Sequence, residues 1–479
     1  MESLIREEWI YMFDKLKRWM LPIGPVIATV VAIVTYRAGL SPPAAICAWV
    51  ACLCAIWWIF ECVHLAVAGL VPLAVFPLTG LLTEEQAAAS YGHPMILLLL
   101  GGFFLSAAME NVGAHRRIAL TMVRWVGGRG GKRIVFAFML ATAALSMWIS
   151  NTAATLMMLP IALAVLKQAN NPSLTLPMML GIAYSASIGG MSTPIGTPPN
   201  VMFMGQIEKQ FGIDYGFGQW MKTAVPIVAI LLPSVWWYLT RRVDEGEPVE
   251  VPEPGPWRPS EVRVLVAFVF TALAWIFRAG PGGGWSGLLL ADGVDKSFIG
   301  DTTVAIIASL FMFLCPRGDK DRPNDRLLDW SAANQAPWGI LIMFGGGLCL
   351  AQGFEESGLS AAIGSQLTVF QGAPPWLIIG AVCLIVTFMT EITSSTATAS
   401  LLLPILGQLA IATGLPPEAV MIPGVISASC AFMLPVATAP NAIVFSAGGI
   451  RTYEMARIGL WINLFAVCVI STLCWWQLT

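Results

Sequence analysis

The sequence predicts an all-α polytopic membrane protein with about 11 transmembrane helices plus two opposed re-entrant hairpins in inverted repeats. Three observations carry that reading. Hydrophobic residues fill 57% of the 479 positions and charged residues 11%, too little polar surface to cover a water-soluble chain of this length. The apolar runs are long and recurrent, as a bilayer solvent requires. The chain also repeats itself. LLGGFFLSAAMENVG (99–113) matches MFGGGLCLAQGFEESG (343–358), WISNTAATLMMLP (148–160) matches EITSSTATASLLLP (391–404), and SASIGGMSTPIGTPPNVMF (185–203) matches SASCAFMLPVATAPNAIVF (427–445). These blocks, in one order and at nearly one offset, set Gly101 against Gly346, Glu110 against Glu355 and Asn200 against Asn441.

Residues 1–20 mix acidic and basic side chains and lack the apolar core and cleavage site of a signal peptide. Leu4, Ile5, Trp9, Phe13, Leu16 and Met20 fall near helical spacing, which describes an amphipathic cytoplasmic surface helix. The first half, 21–240, carries candidate spans at 21–37, 43–62, 64–80, 93–112, 176–192 and 221–240. A Pro- and Glu-rich stretch, 241–260, reads as a linker. The second half, 261–479, carries spans at 262–279, 302–315, 337–356, 416–432 and 456–476. Two further apolar segments, 134–166 and 374–411, are interrupted at their middles by hydroxyl and amide residues. Each leaves arms of about 16 residues, shorter than the ~20 a helix needs to cross the hydrocarbon. A re-entrant hairpin with a polar tip solves this, provided protein or a water cavity surrounds the tip. Broken helices follow at 176–206 and 416–450.

Basic residues set the orientation. With the amino terminus in the cytoplasm of a cell (inner) membrane, all of the 26 Lys and Arg residues except Arg37, Lys209, Lys222, Arg278 and Lys296 fall on the cytoplasmic side. The carboxyl terminus then lies outside. AHRRIALTMVRWVGGRGGKR after the first Gly-Gly span is basic, whereas its counterpart LSAAIGSQLTVFQG has no basic residue. The repeats are therefore expected to be inverted, one hairpin entering from each face.

Inverted repeats with discontinuous helices place a substrate site near the bilayer midplane. The helices that start after Ser150-Asn151-Thr152 and Ser394-Ser395-Thr396 present free N–H groups and positive dipole ends, a pair suited to an anion with two separated charges. The breaks Gly196-Thr197-Pro198-Pro199-Asn200 and Ala437-Thr438-Ala439-Pro440-Asn441 add unpaired carbonyls, since proline removes donors; Na⁺ takes such oxygens. Segments 134–166, 181–206 and 372–440 contain no Lys, Arg or His. Neutral donors and helix ends contribute roughly 0.3–2 kcal/mol each, modest against the desolvation of two charges. Co-bound cations supply the missing charge, which implies cation-coupled anion transport.

The SNT at 150–152, the degenerate SST at 394–396 and the paired GTPPN and ATAPN breaks resemble the divalent anion/sodium symporter family, whose members carry dicarboxylates, citrate or sulfate. The resemblance runs from about Leu21 to the carboxyl terminus. It implies an elevator-type transporter, a homodimer with a scaffold and a moving transport domain. It also implies one Na⁺ near Ser146, Ser150, Asn151 and Gly196, and another near Thr390, Thr393, Ser395 and Ala437. Substrate would touch Asn151, Thr152, Thr197, Ser395 and Thr396, with Ala439 at the second break. Two positions depart from the family: Ser395 stands where a second Asn is usual, and Ala439 replaces the first proline of TPPN. Serine keeps an oxygen but loses the NH₂ donors, and alanine restores a backbone N–H. Either the substrate departs from an ordinary C4-dicarboxylate or the second cation site is altered.

Other classes fit less well. The net charge of −2 offers no field for nucleic acid, and the ten cysteines follow no framework spacing and read as small core residues. The midplane segments lack a nucleophile–base pair or ligand cluster, which argues against an enzyme, and no G-x-x-x-x-G-K-[ST] run supports a primary pump. A channel, a Na⁺-independent anion exchanger and a sulfate or sulfonate carrier of the same fold remain as rivals; an exchanger could replace the cation with a fixed basic residue, and none is present. Glu391 reads as a structural acceptor holding the hairpin in preference to a proton-coupling carboxylate, and His64 as a local partner of Glu61. The remaining partners expected are a small anion, Na⁺ and membrane lipid.

Overall fold

The computed structural model describes residues 2–127, 130–169, 171–243, 253–278, 284–289, 299–322 and 324–479. All its regular elements among these residues are helices. Nine are long and apolar enough to cross a membrane, ten if the pair Leu359–Phe370 and Pro375–Thr390, bent by 119°, is one span; about eleven were expected. Seven of the nine are expected spans, and the other two, Asn151–Ala169 and Ser395–Thr413, are return arms of the expected hairpins; the expected spans 64–80, 176–192, 302–315 and 416–432 are missing from the nine because their helices are short. Leu65–Leu78, Asp301–Leu314 and Pro417–Ala428 are apolar but too short to pass that test. The expected span 64–80 divides at Leu70 into Leu65–Gly69 and Val71–Leu78, because Pro72 has no N–H with which to continue the ladder.

The amino-terminal helix runs without interruption from Glu2 to Arg37 and passes through Pro22 and Pro25, so no break separates residues 2–20 from the first span. The side chains of residues 2–16, on which the expected amphipathic face rests, lie outside the described residues, as do linker residues 244–252 and Lys296. Glu61 is reached by Lys17 at 3.4 Å, and His64 instead caps the next helix, its Nδ1 accepting from the Ala66 N–H at 3.2 Å. The expected Glu61–His64 pair is therefore replaced by two separate contacts.

The two interrupted segments each form helix, break and helix: Gly131–Ser146 followed by Asn151–Ala169, and Pro375–Thr390 followed by Ser395–Thr413. In both units the arms touch. The first arms have 16 residues and the return arms 19, so the return arms are longer than expected. The broken helices are Thr175–Gly190 with Pro198–Phe211, and Pro417–Ala428 with Ala439–Ser446.

Packing follows the repeat and crosses between halves. Asn151–Ala169 packs on Ala439–Ser446, and its counterpart Ser395–Thr413 packs on Pro198–Phe211. Thr175–Gly190 also meets Ala439–Ser446, as Pro417–Ala428 meets Pro198–Phe211. Each half thus completes the other's polar break. Around this inner body the Gly-Gly helices Pro94–Val112 and Trp338–Glu356 pack with neighbours at close range: a Cβ on Gly101 would lie 2.6 Å from the Ala305 Cβ, and one on Gly346 2.4 Å from Gly69 O. Small residues at these crossings let backbones approach where no hydrophobic drive acts between helices in lipid.

Candidate functional site

In the first half, Ser150 caps the helix Asn151–Ala169, its Oγ accepting the Ala153 N–H at 3.2 Å. The N–H groups of Asn151 and Thr152, at the start of that helix, have no intrahelical acceptor. Ser146 closes the preceding arm, fully buried, and donates to Asn151 Oδ1 at 2.6 Å. Gly190 lies against the same oxygen, since a Cβ there would be 2.4 Å from Asn151 Oδ1; a Cβ on Gly196 would be 2.5 Å from Gly190 O. Ser146, Asn151, Gly190 and Gly196 therefore form one cluster. Thr193 ties it to the tip by donating to Met147 O and accepting the Gly196 N–H at 3.2 Å. Asn200 Nδ2 donates to Gly190 O at 3.0 Å and Thr193 O at 2.7 Å, and Trp220 Nε1 donates to Met191 O at 2.9 Å.

The second half is built differently. Ser394 occupies the cap position of Ser395–Thr413 without making a side-chain cap bond, so the first-turn N–H groups are free of that partner. Thr390 Oγ1 donates to Ala428 O at 2.7 Å. Thr393 Oγ1 donates to Met389 O at 3.0 Å and lies 2.5 Å from Thr398 Oγ1. The break at 429–438 is held by Glu391, 3% exposed. Its Oε1 accepts from Met433 N at 2.9 Å and Asn463 Nδ2 at 2.6 Å, and its Oε2 accepts from Leu434 N at 3.0 Å. Asn441 Nδ2 donates to Ala431 O at 2.9 Å and Leu434 O at 3.1 Å, in the manner of Asn200. Ala437 N bonds to Leu434 O at 3.2 Å, so Ala437 and Thr390 join through Leu434 and Glu391, whereas Thr393 turns back onto its own hairpin.

The hydroxyls of Thr152, Thr197, Ser395 and Thr396 make no side-chain hydrogen bond to any described residue. Thr197 and Thr396 are buried, Asn151, Thr152 and Ser395 half-buried, and Ser150 and Ala439 exposed. Asn200 Oδ1 and Asn441 Oδ1 are buried with no partner among the described residues, at equivalent positions of the two repeats. A donor set of hydroxyl, amide and carbonyl oxygens with spare buried lone pairs fits a hard monovalent cation better than a transition metal. No group of three or more His, Cys, Asp or Glu residues with metal-holding geometry exists among the described residues. Sequence reasoning missed the roles of Gly190, Thr193 and Asn463. Asn200 and Asn441 were marked as a matched pair, and that pairing was the available signal.

The family model for the sodium:sulfate symporter transmembrane region matches residues 15–479. A protein of Staphylococcus saprophyticus, described as the sodium-dependent dicarboxylate transporter SdcS, is 38% identical over 94% of this chain and 89% of its own. The protein of that description from Staphylococcus aureus (strain USA300) is also 38% identical, over 89% of this chain and 84% of its own. The chain belongs to the divalent anion/sodium symporter family. As a member of that family it is a multi-pass membrane transporter and not an enzyme. The crystal structure of the Alcanivorax borkumensis YdaH transporter has the same fold, with a TM-score of 0.62 over 86% of this chain and 98% of that one at 14% identity.

Proposed function

We propose that the chain is a secondary active transporter that moves a divalent organic anion, C4-dicarboxylate-like, in symport with Na⁺. The observation that carries this reading is the pair of helix starts at Asn151 and Ser395, with the unbonded hydroxyls of Thr152, Thr197, Ser395 and Thr396, in segments that hold no Lys, Arg or His. Such a site offers an anion dipole ends and neutral donors only, so its charge must be met by co-bound cations. The names of the staphylococcal relatives agree with Na⁺ and a dicarboxylate. One Na⁺ is assigned to Ser146, Ser150, Asn151 and Gly196, and another to Thr390, Thr393, Ser395 and Ala437. Ala439, exposed at the start of its helix, completes the anion side together with Asn151.

The working cycle is an elevator motion. The hairpins and broken helices, interlocked across the repeat, move as one body against the Gly-Gly helices, in a homodimer whose amino termini are cytoplasmic and whose carboxyl termini lie outside. Interlocking supports this, because a body that shares both half-sites carries them together. The test is thermal-shift screening of purified protein with succinate, malate, citrate, sulfate and sulfonates in Na⁺ and in K⁺. Stabilisation by a C4-dicarboxylate in Na⁺ alone supports the reading; a sulfate or sulfonate that stabilises in its place reassigns the substrate, and equal stabilisation in K⁺ removes the coupling.

A further inference from the structure

We propose that a groove on the lipid-facing side of the inner body is a binding site for one anionic phospholipid. The groove lies between the helices Phe217–Thr240 and Thr452–Leu478, encloses about 510 Å³, and is lined by Pro233, Trp237, Tyr238, Trp461 and Phe465 among others. Pro233 stands inside its helix, where its ring and missing N–H loosen the local packing. A helix is about 10 Å across, so even two turns of a neighbouring helix would overfill the space, whereas a single acyl chain is slender enough to enter it.

The charge is gathered at one end. Arg241 directly follows Phe217–Thr240, and its guanidinium lies 4.2 Å from the centre of the Tyr238 ring; Tyr238 itself lines the groove, so the cation is held at the mouth. Arg457 lies one turn before Trp461 on the other helix, on the same face as Trp461 and Phe465, and the orientation expected from the basic residues puts it on the same side of the membrane as Arg241. Both arginines are exposed, and neither has a carboxylate of another described residue within ion-pair distance. The indoles of Trp237 and Trp461 are 65% and 58% exposed and donate to no acceptor among the described residues, as suits rings that meet the ester and headgroup region. An apolar aromatic slot with two exposed arginines at its mouth complements a phosphate headgroup above an acyl chain.

The groove also backs onto the second half-site. Ile462 lines it, and the next residue, Asn463, donates to Glu391 at 2.6 Å. A lipid seated there braces the helix that holds the break at 429–438.

Purified full-length protein, delipidated in detergent, is titrated with phosphatidylglycerol or with phosphatidylcholine and followed by thermal unfolding and native mass spectrometry. Phosphatidylglycerol is expected to raise Tm by several degrees and to be retained in at least one copy per chain. The variant R241Q/R457Q is expected to lose that shift and one retained lipid, and R241K/R457K to keep both, which separates headgroup binding from a folding defect. Equal shifts with phosphatidylcholine, or an undiminished response in R241Q/R457Q, would overturn the site. A change of oligomeric state in R241Q/R457Q without any lipid response would assign the groove to a second copy and overturn it too.

Discussion

Gly190 and Asn151 touch so closely that a methyl group on Gly190 would lie 2.4 Å from the Asn151 side-chain oxygen. The broken helix of the first half is thereby pressed against the tip of its hairpin, with Ser146 donating to that same oxygen from the other side. Asn151 is held in one orientation by packing as much as by hydrogen bonding. Gly190→Ala is expected to displace it and to weaken both Na⁺ and anion binding about tenfold or more, equivalent to about 1.4 kcal/mol. Gly380→Ala, where nothing lies within 4 Å of the added carbon, is the matched control and is expected to bind as the parent does. Equilibrium binding of the two variants checks the pair.

Asn151→Ala removes the side chain on which the first half-site converges. Anion binding is expected to be lost at any Na⁺ concentration. Ser146→Ala keeps Asn151 but removes one hydroxyl, so higher Na⁺ is expected to restore the anion affinity. Titrations of anion binding at several Na⁺ concentrations distinguish these two behaviours.

Glu391 accepts from two backbone N–H groups and one amide. Removing a buried acceptor leaves those donors unmet, at roughly 1–3 kcal/mol each. Glu391→Ala is expected to lower thermal stability and to disorganise the break at 429–438. Asn463→Leu, which deletes one of the three donors, is expected to cost less. Melting of the two variants in the same detergent gives the order.

Lys209, on Pro198–Phe211, donates to Ser90 Oγ at 2.9 Å, Leu348 O at 2.9 Å and Gln352 Oε1 at 3.1 Å. These three acceptors belong to the surrounding helices, so an elevator step must release all of them together. Lys209→Met is expected to change the maximal uptake rate while leaving anion affinity within about threefold, because no site residue is touched. Uptake kinetics and binding, measured side by side, check this.

On the loop after Asp301–Leu314, burial works against the charge of Asp319, but hydrogen bonds from Ser260 and the Arg317 guanidinium outweigh it and hold its carboxyl below the usual carboxylate range. A carboxyl depressed in the folded state stabilises fully above its unfolded value, about 3.9, and loses that contribution as pH falls through the folded value. The contribution of Asp319 is expected to be level from neutral pH down to about 4 and to be lost below it, so that Asp319→Asn falls less steeply than the parent there. Thermal melts across that range test the sign.

Much of the fold was legible because its signals are local. Serine, asparagine and threonine in the middle of an apolar run mark a break wherever they occur, and the breaks at 147–150 and 391–394 lie where those residues are. Other features depend on distant partners. The mixed charges and apolar spacing of residues 1–20 suggested a separate surface helix, yet the helix runs on through Pro22 and Pro25 to Arg37, since a proline costs one hydrogen bond and a membrane helix can absorb that loss. Glu391 could be read as an acceptor from its position, but its partners Met433, Leu434 and Asn463 come from segments 42 to 72 residues away. Gly190 was invisible as a site residue because its role is the absence of a side chain beside Asn151. The crossing of return arms with the other half's broken helices is a tertiary fact that internal repetition implies but no single segment encodes.

Uptake of labelled succinate into proteoliposomes under an inward Na⁺ gradient tests the central claim most directly. The expected result is concentrative uptake that collapses when the Na⁺ gradient is dissipated or Asn151 is replaced by alanine. Uptake that proceeds equally with Na⁺ and H⁺ gradients collapsed would contradict it.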